Sequence, residues 1–310
     1  MNNSKFTIVT FYQFKKFKDI ENVKQNLKKF CFLNKIRGTI ILAEEGINGT
    51  IAGLKSSVKE FKNKLSELDL NEAQIKESSY EFMPFSRMKI KIKKEIVTFD
   101  GKNYDVEKNK AKYLDRDEWN KFINKKNTLI IDVRNNFEYE MGTFEKAMNP
   151  KTKNFREFKK FVKKELLKRR DQNIALFCTG GIRCEKASSY MKINGFKKLY
   201  QLNGGILKYL ENTPDKKSFW KGECFVFDNR VSLKNGLNKG TYELCHGCRF
   251  PVSKGNRRSK KYLKGISCPR CYNKLTIEKK KKLQERNKQI EISKKKGIYN
   301  PYIKLTTLDY

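Results

Sequence analysis

Ile174-Ala175-Leu176-Phe177 runs directly into Cys178-Thr179-Gly180-Gly181-Ile182-Arg183-Cys184, and no other stretch narrows the fold as far. A short apolar run that meets a cysteine and two glycines, then passes into helical spacing over Cys184–Asn194 with Gly195 as its stop, reads as a buried strand feeding a helix. Leu129-Ile130-Ile131-Asp132-Val133 and Lys198–Leu202 read as further strands. Phe155, Phe158, Phe161, Val162 and Leu166 mark an amphipathic helix between them. Strands alternating with helices predict a parallel sheet covered on both faces. Ligands on such sheets sit at the carboxyl ends of strands, where Asp132 and Cys178 fall.

The rest of the chain divides around this centre. Phe6–Tyr12, Ile20–Asn34, Arg37–Ala43, Thr50–Ala52, a helix marked by Val58, Phe61, Leu65 and Leu68, and Ala73–Tyr80 give the order β-α-β-β-α-β. That is the order of a ferredoxin-like (acylphosphatase-like) α+β sandwich, with a hairpin turn expected at Gly46–Gly49. From Met88, apolar Met88, Ile90 and Ile92 alternate with Lys89, Lys91 and Lys93, a strand with one charged face. The expected layout is a ferredoxin-like domain over 1–97, a polar linker over 98–122, a parallel α/β domain over 123–217, a small four-cysteine domain over 218–276 and a basic tail over 277–310. No apolar run approaches the ~20 residues that span a bilayer, so no membrane partner is expected. Phe6–Phe11 is too short and mixed for a signal peptide.

Cys245-x2-Cys248 and Cys268-x2-Cys271 are two knuckles whose thiolates suit a tetrahedral Zn²⁺. The other reading is four reduced cysteines in a small core. His246, the chain's single histidine, falls beside this site. One histidine also excludes a two-His-one-carboxylate iron centre. Eight cysteines without an export signal point to a reducing compartment and a cytoplasmic protein.

The 310 residues carry 70 Lys and Arg against 34 Asp and Glu, a net charge of +36. Part of that surplus reads as genomic bias toward lysine. From Arg249 to Lys296, however, eighteen basic residues face three acids, an electrostatic footprint for phosphate backbones. Candidate nucleic-acid contacts are Lys89, Lys91 and Lys93, then Arg257, Arg258, Lys260 and Lys261 between the knuckles, then Lys279, Lys280, Lys281 and Lys282. Each taken singly also reads as a solvated charge.

The glycines after Cys178 permit backbone angles that turn successive amides inward, and with a helix N-terminus they form an anion cradle. The amides of Thr179, Gly180, Gly181 and Ile182, with the charge of Arg183, are expected to lower the Cys178 pKa and raise its nucleophilicity. The bland reading is a small cysteine ending a strand. Cys184 either resolves an oxidised sulfur at Cys178 or is a buried helix cysteine. Cys31 and Cys224 read as structural.

Cys178 to Arg183 resembles the active-site loop of the rhodanese superfamily, in which the loop cysteine carries a persulfide and four residues separate it from the arginine. Asp132-Val133-Arg134 and Glu138 resemble the upstream rhodanese segment, where pinning loops is a better account than catalysis. The whole chain resembles the tRNA uridine(34) hydroxylases. The resemblance lies in Ala43–Thr50, Met88–Val97, Gly142-Thr143-Phe144, Asn149-Pro150, Phe155–Phe158, Cys178–Ser188, Leu202–Ile206 and Gly222–Asp228. It implies oxygen-dependent conversion of the wobble uridine to 5-hydroxyuridine, with Cys178 as the catalytic cysteine, molecular oxygen as co-substrate and the tRNA anticodon stem-loop as partner. No obligate protein partner is evident. The alternatives are a thiosulfate-type sulfurtransferase forming a persulfide at Cys178, and a zinc-knuckle RNA-binding module whose rhodanese part is inactive. The intact Cys178 and Arg183 argue against the last.

Overall fold

A computed structural model describes residues 6–214 and 217–295. β1 (Phe6–Phe14), α1 (Ile20–Leu33), β2 (Arg37–Ala43), β3 (Gly46–Gly53), α2 (Lys55–Glu67) and β4 (Gln74–Tyr80) keep the expected order, and β5 (Met88–Ile92) adds a fifth strand. The sheet runs β4-β1-β3-β2-β5, antiparallel except for the parallel β2–β5 pair. Helical spacing puts Leu27 and Cys31 of α1 and Val58, Phe61 and Leu65 of α2 onto one sheet face, against Val9, Phe11, Ile40, Leu42, Ile47 and Ile51.

The β2–β3 turn is not at Gly46–Gly49. Ala43 pairs with Gly46, so Glu44 and Glu45 alone make the connection. The glycines lie inside β3 for another reason. A Cβ at Gly46 would sit 2.1 Å from the Gln13 carbonyl, and one at Gly49 would sit 2.8 Å from the Phe11 ring, so they let β1 and its aromatic side chain close in.

Alternation leaves the other face of this sheet polar. Register places Lys76, Thr10, Thr50, Thr39 and Lys89 in one row across all five strands. This row faces away from α1 and α2, toward the central domain.

The segment expected as a linker ending in a helix has that helix and adds a strand. β6 (Lys112–Leu114) pairs in parallel with a strand of the central sheet, and α3 (Arg116–Ile123) buries Trp119 completely against Phe144 and Phe177. A capping box between Asp115 and Glu118 starts that helix. β7 (Thr128–Asp132), α4 (Asn136–Met141), β8 (Gly142–Phe144), α5 (Phe158–Phe161), β9 (Asn173–Phe177), α6 (Ile182–Ile193), β10 (Leu199–Leu202) and α7 (Gly205–Asn212) complete the domain. Its sheet runs β6-β10-β9-β7, all parallel. The helix marked by Phe155 to Leu166 is broken into 3-10, α and π turns, although Phe155, Phe158, Val162 and Leu166 are buried.

The region after residue 218 divides in two. β11 (Trp220–Gly222) pairs with β8, and the hairpin β12 (Cys224–Phe225)–β13 (Ser232–Leu233) joins the central core through Cys224, Val226 and Leu233. The cysteine knuckles hold only the second part, with β14 (Glu243–Leu244), β15 (Pro251–Val252) and α8 (Lys254–Arg257). The lysine-rich end, which reads as helical or frayed, is the helix α9 (Ile277–Lys295), and it buries Leu283 and Ile290. Residues 296–310 lie outside the described residues.

Candidate active site

Cys178 stands at the carboxyl end of β9, 1% exposed, where α6 begins. The Gly181 amide donates to its Sγ at 3.1 Å. Burial pushes the Cys178 thiol up, but the Cys184 thiol, the Arg183 charge and the amides of Cys184 and Gly181 pull it down to about 5. The thiol of Cys184 carries the opposite burden: burial and the neighbouring Cys178 push it well up. One sulfur of the pair is therefore a thiolate at neutral pH and the other its proton-bearing donor. Burial alone raises Cys31 to about 12, and burial raises Cys224 to about 12 with Glu138 and Asp132 assisting and Arg134 and Arg183 opposing, in keeping with structural roles.

The cradle differs in detail from the expected ring of loop amides. Gly181 has φ +105°, and a Cβ there would meet the Tyr12 hydroxyl at 2.7 Å, so two constraints demand glycine. Gly180 has open space at its Cβ, and its carbonyl accepts from Lys76. The Thr179 hydroxyl accepts from Arg183 (3.2 Å), and Ile182 lines the cavity above the sulfur. Arg183 does not place its fork on the sulfur. Both terminal nitrogens go to Glu138, each at 2.8 Å, so the guanidinium acts on Cys178 through its charge.

Glu138 is wholly buried. Burial raises its pKa, but the charge and hydrogen bonds of Arg183 outweigh that and hold the carboxyl below its usual range. Glu138→Ala leaves a buried guanidinium without its counter-charge, and the expected cost is about 3–5 kcal/mol in chemical denaturation. A depressed carboxyl stabilises above the unfolded-state pKa, and that stability is lost as pH falls through the folded one. The gap between Glu138→Ala and the parent chain is therefore expected to narrow below pH ~4. Asp132 and Arg134 form a second buried pair (2.6 and 2.8 Å), with Arg134 also on the Gly142 carbonyl and Thr143 on Asp132. They pin β7 to β8, as the upstream motif suggested.

Above the loop lies a cavity of about 680 Å³. Cys178 to Gly180, Ile182 and Arg183 form its floor. Thr10, Tyr12, Thr39, Ile41, Asn48 and Thr50, from the polar face of the N-terminal sheet, form its roof. Phe155, Arg156, Val226 and Phe227 stand at its sides, and Phe227 is 71% exposed. Two buried charge groups seat the sheet. Lys186 pairs with Glu45 (2.8 Å) and Glu95 (2.7 Å), and Arg230 binds Asp228 twice and Ser78 on β4 at 2.8 Å. Sequence reading missed this roof, because β1 alternation gives a polar face and only strand order shows what that face covers.

The four knuckle sulfurs come together. Cys245, Cys248, Cys268 and Cys271 place every Sγ within 4.8 Å of the others, with separations of 3.7 Å (245–271 and 248–268) and 3.8 Å (268–271). Zinc–sulfur bonds of ~2.3 Å in a tetrahedron require an edge of about 3.8 Å, so the donor set fits that ion.

The expected nucleic-acid contacts separate. Burial and the charges of Arg87, Lys91 and Arg249 lower the Lys89 ammonium pKa, so β5 and the knuckle unit share one cationic patch. Lys93 lies just past β5, exposed. Arg258, Lys260, Lys261, Lys279, Lys281 and Lys282 are exposed, whereas Lys280 covers the Tyr272 ring. Arg257 is committed inward, to the Thr241 carbonyl (2.9 Å) and Glu243 (3.3 Å).

Residues 6–96 match the UPF0176 acylphosphatase like domain, and residues 115–212 the rhodanese-like domain. A tRNA uridine(34) hydroxylase of Teredinibacter turnerae is 45% identical over 295 residues, covering 95% of this chain and 92% of that one. One from Pelagibacter ubique is 46% identical over 296 residues, covering 94% and 96%.

Proposed function

This chain belongs to the tRNA uridine(34) hydroxylase family, and from that premise we propose that it hydroxylates C5 of the wobble uridine in the cytoplasm, with Cys178 as the reacting group. The observation that carries the reading is the position of Cys178, a thiolate at the floor of a cavity roofed by the N-terminal sheet. A base inside the anticodon stack cannot reach a buried sulfur, so the uridine must swing out. The cavity offers what a uracil needs. Thr10, Thr39 and Thr50 present hydroxyls, and Asn48 commits its amide nitrogen to the Ile96 carbonyl, leaving its oxygen as an acceptor. Exposed Phe227, packed edge-on to Phe225 at 4.9 Å, is placed to stack on a neighbouring base.

A thiolate has a direct route to C5. Addition at C6 gives C5 enolate character, and C5 then takes an oxygen atom. Loss of the C5 proton and of the thiolate restores the ring. With molecular oxygen as the source, a two-electron reductant takes the second atom to water. Cys184 is placed to hand Cys178 its proton or to resolve an oxidised sulfur.

Lys89, Lys91 and Arg249 receive the phosphate backbone beside the cavity, and Arg258, Lys260, Lys261, Lys279, Lys281 and Lys282 extend the same positive field. Zinc held by Cys245, Cys248, Cys268 and Cys271 would supply no chemistry to the uridine; it would fix the unit that carries Arg249. Among the described residues, no helix is long and apolar enough to cross a membrane.

The test is nucleoside mass spectrometry of tRNA from cells with and without the gene. 5-Hydroxyuridine is expected only with it, and with purified protein only when oxygen is admitted. Conversion of thiosulfate with no change in tRNA would instead favour a sulfurtransferase. RNA affinity is expected to fall about 10³-fold between 50 and 200 mM salt for some six phosphate contacts, and a flat response would remove the electrostatic part.

A further inference from the structure

Lys76 has no part in the chemistry above, yet it reaches the catalytic loop from another domain. It stands on β4, at one end of the polar row, next to Thr10. Only 7% exposed, its Nζ lies 4.8 Å from the centre of the Tyr12 ring and donates to the Gly180 carbonyl at 2.7 Å. That carbonyl and the Gly181 amide are two ends of one peptide unit, and the Gly181 amide donates to Cys178 Sγ. A peptide is planar, so fixing its carbonyl fixes where its N–H points. A cation on the oxygen also draws electron density from the unit and makes the N–H a stronger donor.

We propose that Lys76 is a positioning residue for the Cys178 thiolate: it clamps the Gly180 carbonyl, and so aims and polarises the Gly181 amide at the sulfur. The nucleophile of the rhodanese domain is then completed by the N-terminal sheet, and a chain with that sheet displaced has a weaker thiolate.

The surroundings keep the clamp charged near neutrality. Tyr12 from β1, Cys178 from the loop, Glu185 from α6 and Lys208 from α7 all act on Lys76. Burial lowers the ammonium to about 8, with Lys208 assisting and Cys178 and Glu185 opposing. Cys178 is in turn faced by Cys184, Arg183, Tyr12 and Glu185. Burial pushes the Glu185 carboxyl up, even though Tyr12, Tyr113 and Gln201 donate to its Oε1 at 3.0, 2.9 and 3.0 Å. The clamp therefore carries its charge below about pH 8 and loses it above.

The proposal rests on Cys178 being the reactive sulfur and not on which substrate reaches it, so its test needs no RNA. The full chain is alkylated with iodoacetamide across pH, and the tryptic peptide Asp171–Arg183, whose one cysteine is Cys178, is quantified by mass spectrometry. The wild-type midpoint is expected near pH 5. Lys76→Met is expected to raise it by about one unit, while Lys76→Arg, which keeps charge and donor, restores it. Protection of Cys31 in the N-terminal core reports that the chain is folded. Where Lys76→Met exposes Cys31, Lys76→Gln is measured in its place, with the same upward shift expected. A folded Lys76→Met or Lys76→Gln chain with the wild-type midpoint overturns the proposal alone. A wild-type Cys178 that resists alkylation at pH 7 overturns the reading of the sulfur, and the clamp with it.

Discussion

Cys178→Ser is expected to abolish 5-hydroxyuridine formation while leaving RNA affinity unchanged. The loop lowers an acid that already ionises near 9 to about 5. A serine hydroxyl starts far above the thiol, so the same Gly181 amide and Arg183 charge cannot ionise it at neutral pH. The variant keeps shape, burial and cavity and loses only the anion. A loss of about 10³-fold or more is the expected scale for removing a nucleophile from an otherwise intact site. The pH dependence of the parent chain has a definite sign. An acid with a lowered pKa holds its charge above that value, so Cys178 reactivity is flat from about pH 6 upward and falls as pH drops through about 5. A Cys178→Ser chain that still produces the modified nucleoside at parental levels would remove the sulfur from the reaction.

The features that could be read from sequence are those in which chemistry and backbone are local. Strand, Cys178, two glycines, Arg183 and helix are consecutive, so the cradle could be inferred from neighbouring residues alone. The knuckles carry their spacing in the chain. What could not be read depends on partners far away. Lys112-Tyr113-Leu114 has no alternation to mark it, and it is a strand only because Tyr200, Gln201 and Leu202 accept it in parallel. Gly46 and Gly49 look like turn residues until β1 is laid beside them. Arg183 looks like a direct donor to sulfur until Glu138, 45 residues earlier, takes both of its terminal nitrogens. Lys76 sits in a polar strand whose sequence, Gln74–Tyr80, is indistinguishable from a solvated edge. Its role appears only when the row Lys76-Thr10-Thr50-Thr39-Lys89 is assembled and set over the rhodanese loop.

That row also reaches the cationic C-terminal unit, because it ends at Lys89, the residue on which Arg249 bears. Arg249 follows Cys248 directly, so the patch is only as well placed as the knuckle that holds it. Outside the unit, Leu244 packs against the Met141, Phe225 and Val231 cluster and the Phe250 ring meets Phe137 at 5.2 Å. The unit's own buried core is Cys245, Val252, Cys268 and Cys271, with Cys248, Tyr262 and Leu275 packed around them, and its one sheet is a pair of two-residue strands. A two-stranded ribbon of that length does not stand alone in water. With its ion, a four-thiolate site contributes on the order of 10 kcal/mol of folding free energy. Without it, four sulfurs within 4.8 Å of one another have no ion to draw them together. The parent chain is therefore expected to carry one zinc per molecule by elemental analysis. Cys271→Ser or a strong chelator is expected to release that zinc and open residues 243–275 to proteolysis at least 100-fold faster, on the order of 3 kcal/mol or more of local stability. The rhodanese core keeps its own unfolding transition, since Trp220, Cys224 and Leu233 pack against the central sheet and not the knuckle. RNA affinity is expected to drop about tenfold as Arg249, Arg258, Lys260 and Lys261 lose their places, and its slope against salt to flatten with them. A metal-free chain that keeps residues 243–275 protected would show that side-chain packing, not an ion, holds the four cysteines together.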